Sequence, residues 1–136
     1  MRPHIEEAWR ALRMADRDTQ AFNVLKESPD IHLATICFHA QQAVEKSLKA
    51  VLFTRQIEFR RTHNLVDLAS LLHQNGVETP LTDDQLLRLN PFAVTFRYDD
   101  MDVALLALDE VTEWVTDIRE WAENQVRAAA SSEEAD

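Results

Sequence analysis

Between Pro29 and Arg55 the apolar residues recur at three- and four-residue intervals: Leu33, Ile36, Cys37, Ala40, Val44, Leu48, Val51 and Leu52. At 100° per residue these side chains form one stripe, so the stretch predicts a long amphipathic helix packed along one side. A second stripe, His39, Gln42, Lys46 and Lys49, runs down the opposite face and is expected to stay polar and solvated. Ser28 reads as the N-cap of this helix, with Pro29 at its first position and Asp30 and His32 in its first turn.

The same periodicity marks the other elements. Ile5, Trp9, Leu12, Ala15, Thr19, Phe22 and Leu25 predict a helix over 3–26, with Arg10, Arg13, Arg17 and Asp18 facing water. A basic link, 56–64, leads to a third helix that carries Leu65, Leu68, Ala69, Leu71 and Leu72. Thr62 is its expected N-cap, and Gln74, Asn75 and Gly76 its expected end. Thr82 and Gln85 have the spacing of a capping box and start a fourth helix, which Asn90-Pro91 should break. Asn90 is expected to cap a new turn reaching Tyr98. A last helix over 102–127 points Val103, Leu106, Val111, Trp114, Val115, Ile118, Trp121 and Gln125 inward. Arg119 falls on its outer, acidic side, and residues 128–136 read as a frayed acidic tail. The short loop between the first two helices makes them antiparallel neighbours. The fold class is all-α, one helical-bundle domain over 1–127.

Composition agrees with that class. The chain has 136 residues, enough for one core without cross-links, and only one glycine and four prolines. The lone cysteine, Cys37, sits on the apolar stripe, so a disulfide framework is excluded and a buried, reduced thiol is expected. No apolar run is long enough for a membrane span and no signal-peptide core opens the chain, which points to a cytoplasmic protein.

The net charge of −10 argues against an ordinary nucleic-acid binder, but it is unevenly placed. Residues 1–61 carry 10 Lys/Arg against 8 Asp/Glu, and residues 62–136 carry 4 against 16. Any anion site must draw mainly on the first half.

Most site chemistries find no support. The five histidines form no HxxxH pair, so no metal-ligand set and no cofactor are expected. Carboxylate pairs such as Asp109/Glu113 read as solvated surface, and no catalytic group is assigned. Three groups remain. Gln42, Lys46 and Lys49, with Glu45 beside them, form a polar face. Arg55, Arg60, Arg61 and His63 gather around a helix start, where guanidinium forks beside free backbone N–H groups would cradle an anion. Arg97 and Tyr98 lie where a helix stops.

The run Phe38 to Ala50 (FHAQQAVEKSLKA), then Thr62 to Leu65 (THNL), Asn90 to Ala93 (NPFA) and Arg97-Tyr98 resemble the HEPN family, the higher eukaryotes and prokaryotes nucleotide-binding domain. The resemblance implies an antiparallel bundle of four to five helices that forms a homodimer. It also implies a partner, a minimal nucleotidyltransferase, in a toxin–antitoxin-like pair. Many members are metal-independent ribonucleases with an R-x4–6-H signature, from which this chain departs. Arg55 and His63 are too far apart, Arg60 and His63 too close, and no histidine follows Arg97. The expected branch is therefore non-nuclease, with Lys46, Lys49, Arg60, His63 and Arg97 contacting the phosphate of a nucleotide or RNA and Tyr98 offering a ring or hydroxyl. A divergent ribonuclease using His63 with Arg60 or Arg97, and a purely structural dimer, are the alternatives.

Overall fold

A computed structural model describes residues 2–93 and 106–135. The described elements are all helical: α1 (Pro3–Leu25), α2 (Leu33–Thr54), α3 (Leu65–Gln74), α4 (Asp83–Leu89), a 3₁₀ turn (Asn90–Ala93) and α5 (Leu108–Ala135). Together they make an antiparallel bundle. The expected turn from Asn90 to Tyr98 is described only as far as Ala93, and Val103 and the expected start of the last helix at Asp102 lie outside the described residues.

Pairwise ties along α1 and α5 fix their direction. Lys26 Nζ donates to Thr112 Oγ1, Arg119 grips Asp16, and His4 meets Glu133. As the residue number falls on one helix it rises on the other, so the two run antiparallel over their whole length. The last tie also explains why residues 128–135 are helical rather than frayed. Three alanines continue the helix at little entropic cost, and Glu133 is held at 2.5 Å from His4 Nε2, with Arg2 on its other oxygen.

The central element is α2, which packs against α1, α3, α4, the 3₁₀ turn and α5. Every residue of the predicted apolar stripe except Leu33 is buried, and so are Ala34, Gln41, Ala43, Glu45, Ser47, Ala50 and Thr54. The helix is therefore covered on nearly all sides, not on one. Its start also differs from expectation. Residues 29–32 form turns, and His32 is the N-cap, its Nδ1 accepting from the Ala34 N–H at 3.1 Å. At the other end Gln56 adopts φ 56° and Ile57 N–H closes on Leu52 O, a helix stop that usually employs glycine. Gly76, at φ 78°, supplies the same stop to α3 without the side-chain cost.

Thr82 and Gln85 form the predicted capping box of α4. In α3 the cap is Asn64, not Thr62: Asn64 Oδ1 accepts from Val66 N–H and Asp67 N–H, while Thr62 Oγ1 accepts from Asn64 N–H. Asn90 does not cap its own turn. It continues α4 in helical conformation and sends its amide across to α3.

On α5, Leu106 (just before the helix), Val111, Trp114, Val115 and Ile118 are buried as predicted, joined by Ala122 and Val126; Trp121 is half-buried. Cys37 is fully buried. Among the described residues no helix is long and apolar enough to cross a membrane.

Candidate anion-binding site

The polar face of α2 is organised by two carboxylates that the bundle has drawn inward. Asp18, expected to face water, is instead buried on the α1 stripe one turn from Ala15 and Phe22. Its Oδ1 lies 3.0 Å from His39 Nδ1 and its Oδ2 2.5 Å from Lys46 Nζ. A carboxylate removed from water is tolerated only when paired and hydrogen-bonded, and Asp18 meets both conditions by reaching across to α2.

Glu45 does the same for the second half of the face. It is 3% exposed and holds three groups at once: His63 Nδ1 at 2.9 Å and Gln41 Nε2 at 3.3 Å on Oε1, and Lys49 Nζ at 3.0 Å on Oε2. Gln41, fully buried, uses the same Nε2 to bond His63 O at 2.9 Å and accepts from Gln42 Nε2 through its own oxygen. One network thus ties the middle of α2 to the α2–α3 link. Sequence reasoning placed Glu45 beside the site but missed Gln41 and Asp18. A signal existed in the spacing: Gln41 lies four residues from Cys37, and Asp18 three from Ala15 and four from Phe22, so both fall within buried stripes.

The structure therefore brings together two of the predicted residues, Lys49 and His63, on one carboxylate. Lys46 stands one turn along α2 from Lys49 but is bonded to Asp18. Arg60 points elsewhere, 3.6 Å from Asp67 on α3, with its side chain largely exposed. Arg97 and Tyr98 lie outside the described residues. Arg55 reaches Gln125 on α5. The expected cradle of free N–H groups at the start of α3 is not there: the amides of Leu65, Val66 and Asp67 already donate to Asn90 and Asn64 side chains. An anion near the link must rely on side-chain donors.

Those donors remain available. An ammonium has three N–H groups, and Lys46 and Lys49 each donate one to a carboxylate. His63 turns Nδ1 to Glu45 while 59% of its side chain stays exposed. Beside the lysines a hollow of about 220 Å³ is lined by three cations, Arg10, Lys46 and Lys49, two carboxylates, Glu7 and Glu45, and Phe53, among others. Phe53 also borders a larger hollow of about 580 Å³, with Ile57 and Phe59. Phe53 and Phe59 meet edge to face at 5.4 Å, and Lys49 Nζ lies 5.9 Å from the Phe59 ring centre. An aromatic wall with a cation at its edge suits a ligand that is flat at one end and anionic at the other. Among the described residues no three His, Cys, Asp or Glu side chains gather as a metal set.

A family model described as HEPN domain matches residues 8–127. No curated protein sequence matches the chain. Among solved structures it is similar to the crystal structure of an archaeal HEPN homologue. The two are 22% identical with a TM-score of 0.58, over 88% of this chain and 97% of that one, a likeness of fold. With the family model spanning most of its length, the chain belongs to the HEPN domain family.

Proposed function

We propose that this HEPN protein binds the phosphate of a nucleotide or RNA at the Glu45-centred cluster. On this reading it acts as the dimeric partner of a minimal nucleotidyltransferase in a toxin–antitoxin-like pair in the cytoplasm. The supporting observation is that Lys49 and His63, from two separate segments, meet on the single carboxylate of Glu45, where Lys49 keeps two N–H donors and His63 keeps an Nε2 that donates once the ring is protonated. The hollow of about 220 Å³ lies on the Lys46 and Lys49 side of Glu45, with His63 outside its lining, and is smaller than the roughly 300–1,000 Å³ of sites that enclose whole ligands, so it would take a phosphate group. The base would lie against Phe53 and Phe59. Arg60, exposed on the same link, and Arg97 and Tyr98 would complete the contacts to a longer ligand.

Calorimetric titration with ATP and with a short oligouridylate tests this. Lys49→Met and His63→Ala should each weaken binding by about 1.5–3 kcal/mol, the worth of a hydrogen bond involving a charged group. Lys26→Met, which touches only the α1–α5 seam, should leave it unchanged. Wild-type binding in both site variants would overturn the phosphate site. For the dimer, Phe38 carries the argument: it is only half-buried on α2, edge-on to His39, whereas the half-buried Phe53 already packs against Phe59 and lines the hollows. Sedimentation at micromolar concentration should give twice the chain mass, and a clean monomer would remove that part of the reading.

The same Glu45–His63 pair favours a second reading, a divergent ribonuclease. A proton held on Nδ1 by the carboxylate leaves Nε2 to accept one from an RNA 2′-hydroxyl. RNA cleavage in EDTA, lost in His63→Ala, would select this reading over simple binding.

A further inference from the structure

We infer that Asn90 is a positioning residue for that phosphate site, holding the His63 segment in place from the junction of α4 and the 3₁₀ turn. The inference rests on the reading above, and it concerns a residue far from His63 in sequence.

The segment around His63 has no helix of its own. It is fixed from three sides. Glu45 holds the imidazole and Gln41 holds the His63 carbonyl, both from α2. The third side is Asn90. Its Oδ1 accepts from Leu65 N–H at 2.8 Å, and its Nδ2 donates to Asn64 Oδ1 at 3.1 Å. Asn90 thus grips the two residues that directly follow His63. Asn64 Oδ1 in turn accepts from Val66 and Asp67, so one amide from α4 joins the cap of α3. Were Asn90 absent, Leu65 N–H, in a fully buried residue, would lose its partner, and the link would be free to shift along α2.

Asn90 can do this because of Pro91. Proline has no N–H to extend the α-helical ladder and ends α4 at Leu89, turning the chain into the 3₁₀ turn against α2. Asn90 sits at the corner, its own N–H bonded to Leu86 O, which leaves its side chain to span the gap to α3. The imidazole orientation is therefore set jointly by α2 and by the α4 corner.

The experiment compares Asn90→Ala with Thr82→Ala. Thr82 caps the other end of α4, so its loss removes a comparable cap without touching the link. Two readouts are taken: affinity for ATP, and the NMR signal of the His63 Nδ1 proton bonded to Glu45. Asn90→Ala should weaken ATP binding roughly three- to tenfold, about the worth of one hydrogen bond, and should broaden or shift the Nδ1 signal. Thr82→Ala should change neither. An Nδ1 signal and affinity in Asn90→Ala that match Thr82→Ala would overturn the positioning role. If Asn90→Ala fails to fold, Asn90→Asp replaces it: it keeps the acceptor for Leu65 but turns the donor to Asn64 into a carboxylate oxygen that repels Asn64 Oδ1, so the link should shift, and an unaltered Nδ1 signal and ATP affinity there would overturn the inference. Wild-type ATP affinity in His63→Ala would instead overturn the phosphate site, while the Nδ1 signal still decides whether Asn90 positions His63.

Discussion

Arg119 on α5 grips Asp16 on α1 with two prongs, Nε to Oδ1 at 2.6 Å and Nη2 to Oδ2 at 3.0 Å, and sends Nη1 to Glu123 at 2.9 Å. The guanidinium lies in the seam between the helices, its side chain only 19% exposed, and the hydrogen bond to Asp16 holds it firmly charged. The outer position expected from the acidic surroundings is not what the bundle made. A fixed fork on a carboxylate is a bidentate pair and exceeds an ordinary surface ion pair. Arg119→Ala should destabilise the fold by about 1–2 kcal/mol, and Arg119→Lys should restore less than half, since a single ammonium cannot reproduce both prongs. Urea unfolding of the two single variants, Asp16→Ala and the double variant would measure the coupling. Additive losses would show the pair to be independent.

Glu123 gives the bundle an acid-sensitive contact. Hydrogen bonds from Arg127 and then Arg119 hold its carboxyl below the ordinary value of 4.5. A depressed carboxylate contributes stability above its unfolded pKa and loses it as pH falls through the folded one. Wild-type stability should therefore drop below about pH 4.5 more steeply than that of Glu123→Gln. The check is the midpoint of urea unfolding from pH 6 downwards in both proteins. Parallel curves would show that Glu123 is not linked to folding.

Asp18 should be the costliest single charge to remove from the α1–α2 interface. It is mostly buried and holds both His39 and Lys46. Asp18→Ala strands two partners at a packed seam, a loss below the roughly 3–5 kcal/mol of breaking a fully buried pair because His39 and Lys46 keep some access to water. Lys46→Met should cost less, because His39 still serves the carboxylate and the apolar stem is kept. Thermal melts of both variants would rank them, and the reverse order would show that the lysine, not the carboxylate, anchors the pair.

Cys37 is fully buried, and desolvation pushes its thiol up to about 11. With the thiolate scarce at neutral pH and access blocked, labelling by a thiol reagent should be slow in the folded protein and fast in denaturant. Labelling rates in buffer and in urea test this; fast native labelling would mean that α2 presents another face to the core.

The elements of this protein were fixed locally, so they could be read from the chain. Spacing of three and four placed the apolar residues of α1, α2, α3 and α5 on buried stripes, Pro91 ended α4, Gly76 ended α3, and Thr82 with Gln85 formed a capping box. Each depends on residues within a turn or two of one another, where backbone geometry and the hydrophobic effect act without knowledge of the partner. The site was not local. Whether Asp18 faces water or Lys46, whether Asn90 caps its own turn or α3, and whether Arg119 is exposed or clamped depend on which helix lies opposite. Long polar side chains reach several ångströms in many directions, and a charge is drawn into a seam only where a counter-charge from a distant segment meets it. Sequence spacing shows that Lys49 and Glu45 share a helix face. Only the packed bundle decides that His63, from another segment, joins them on one carboxylate.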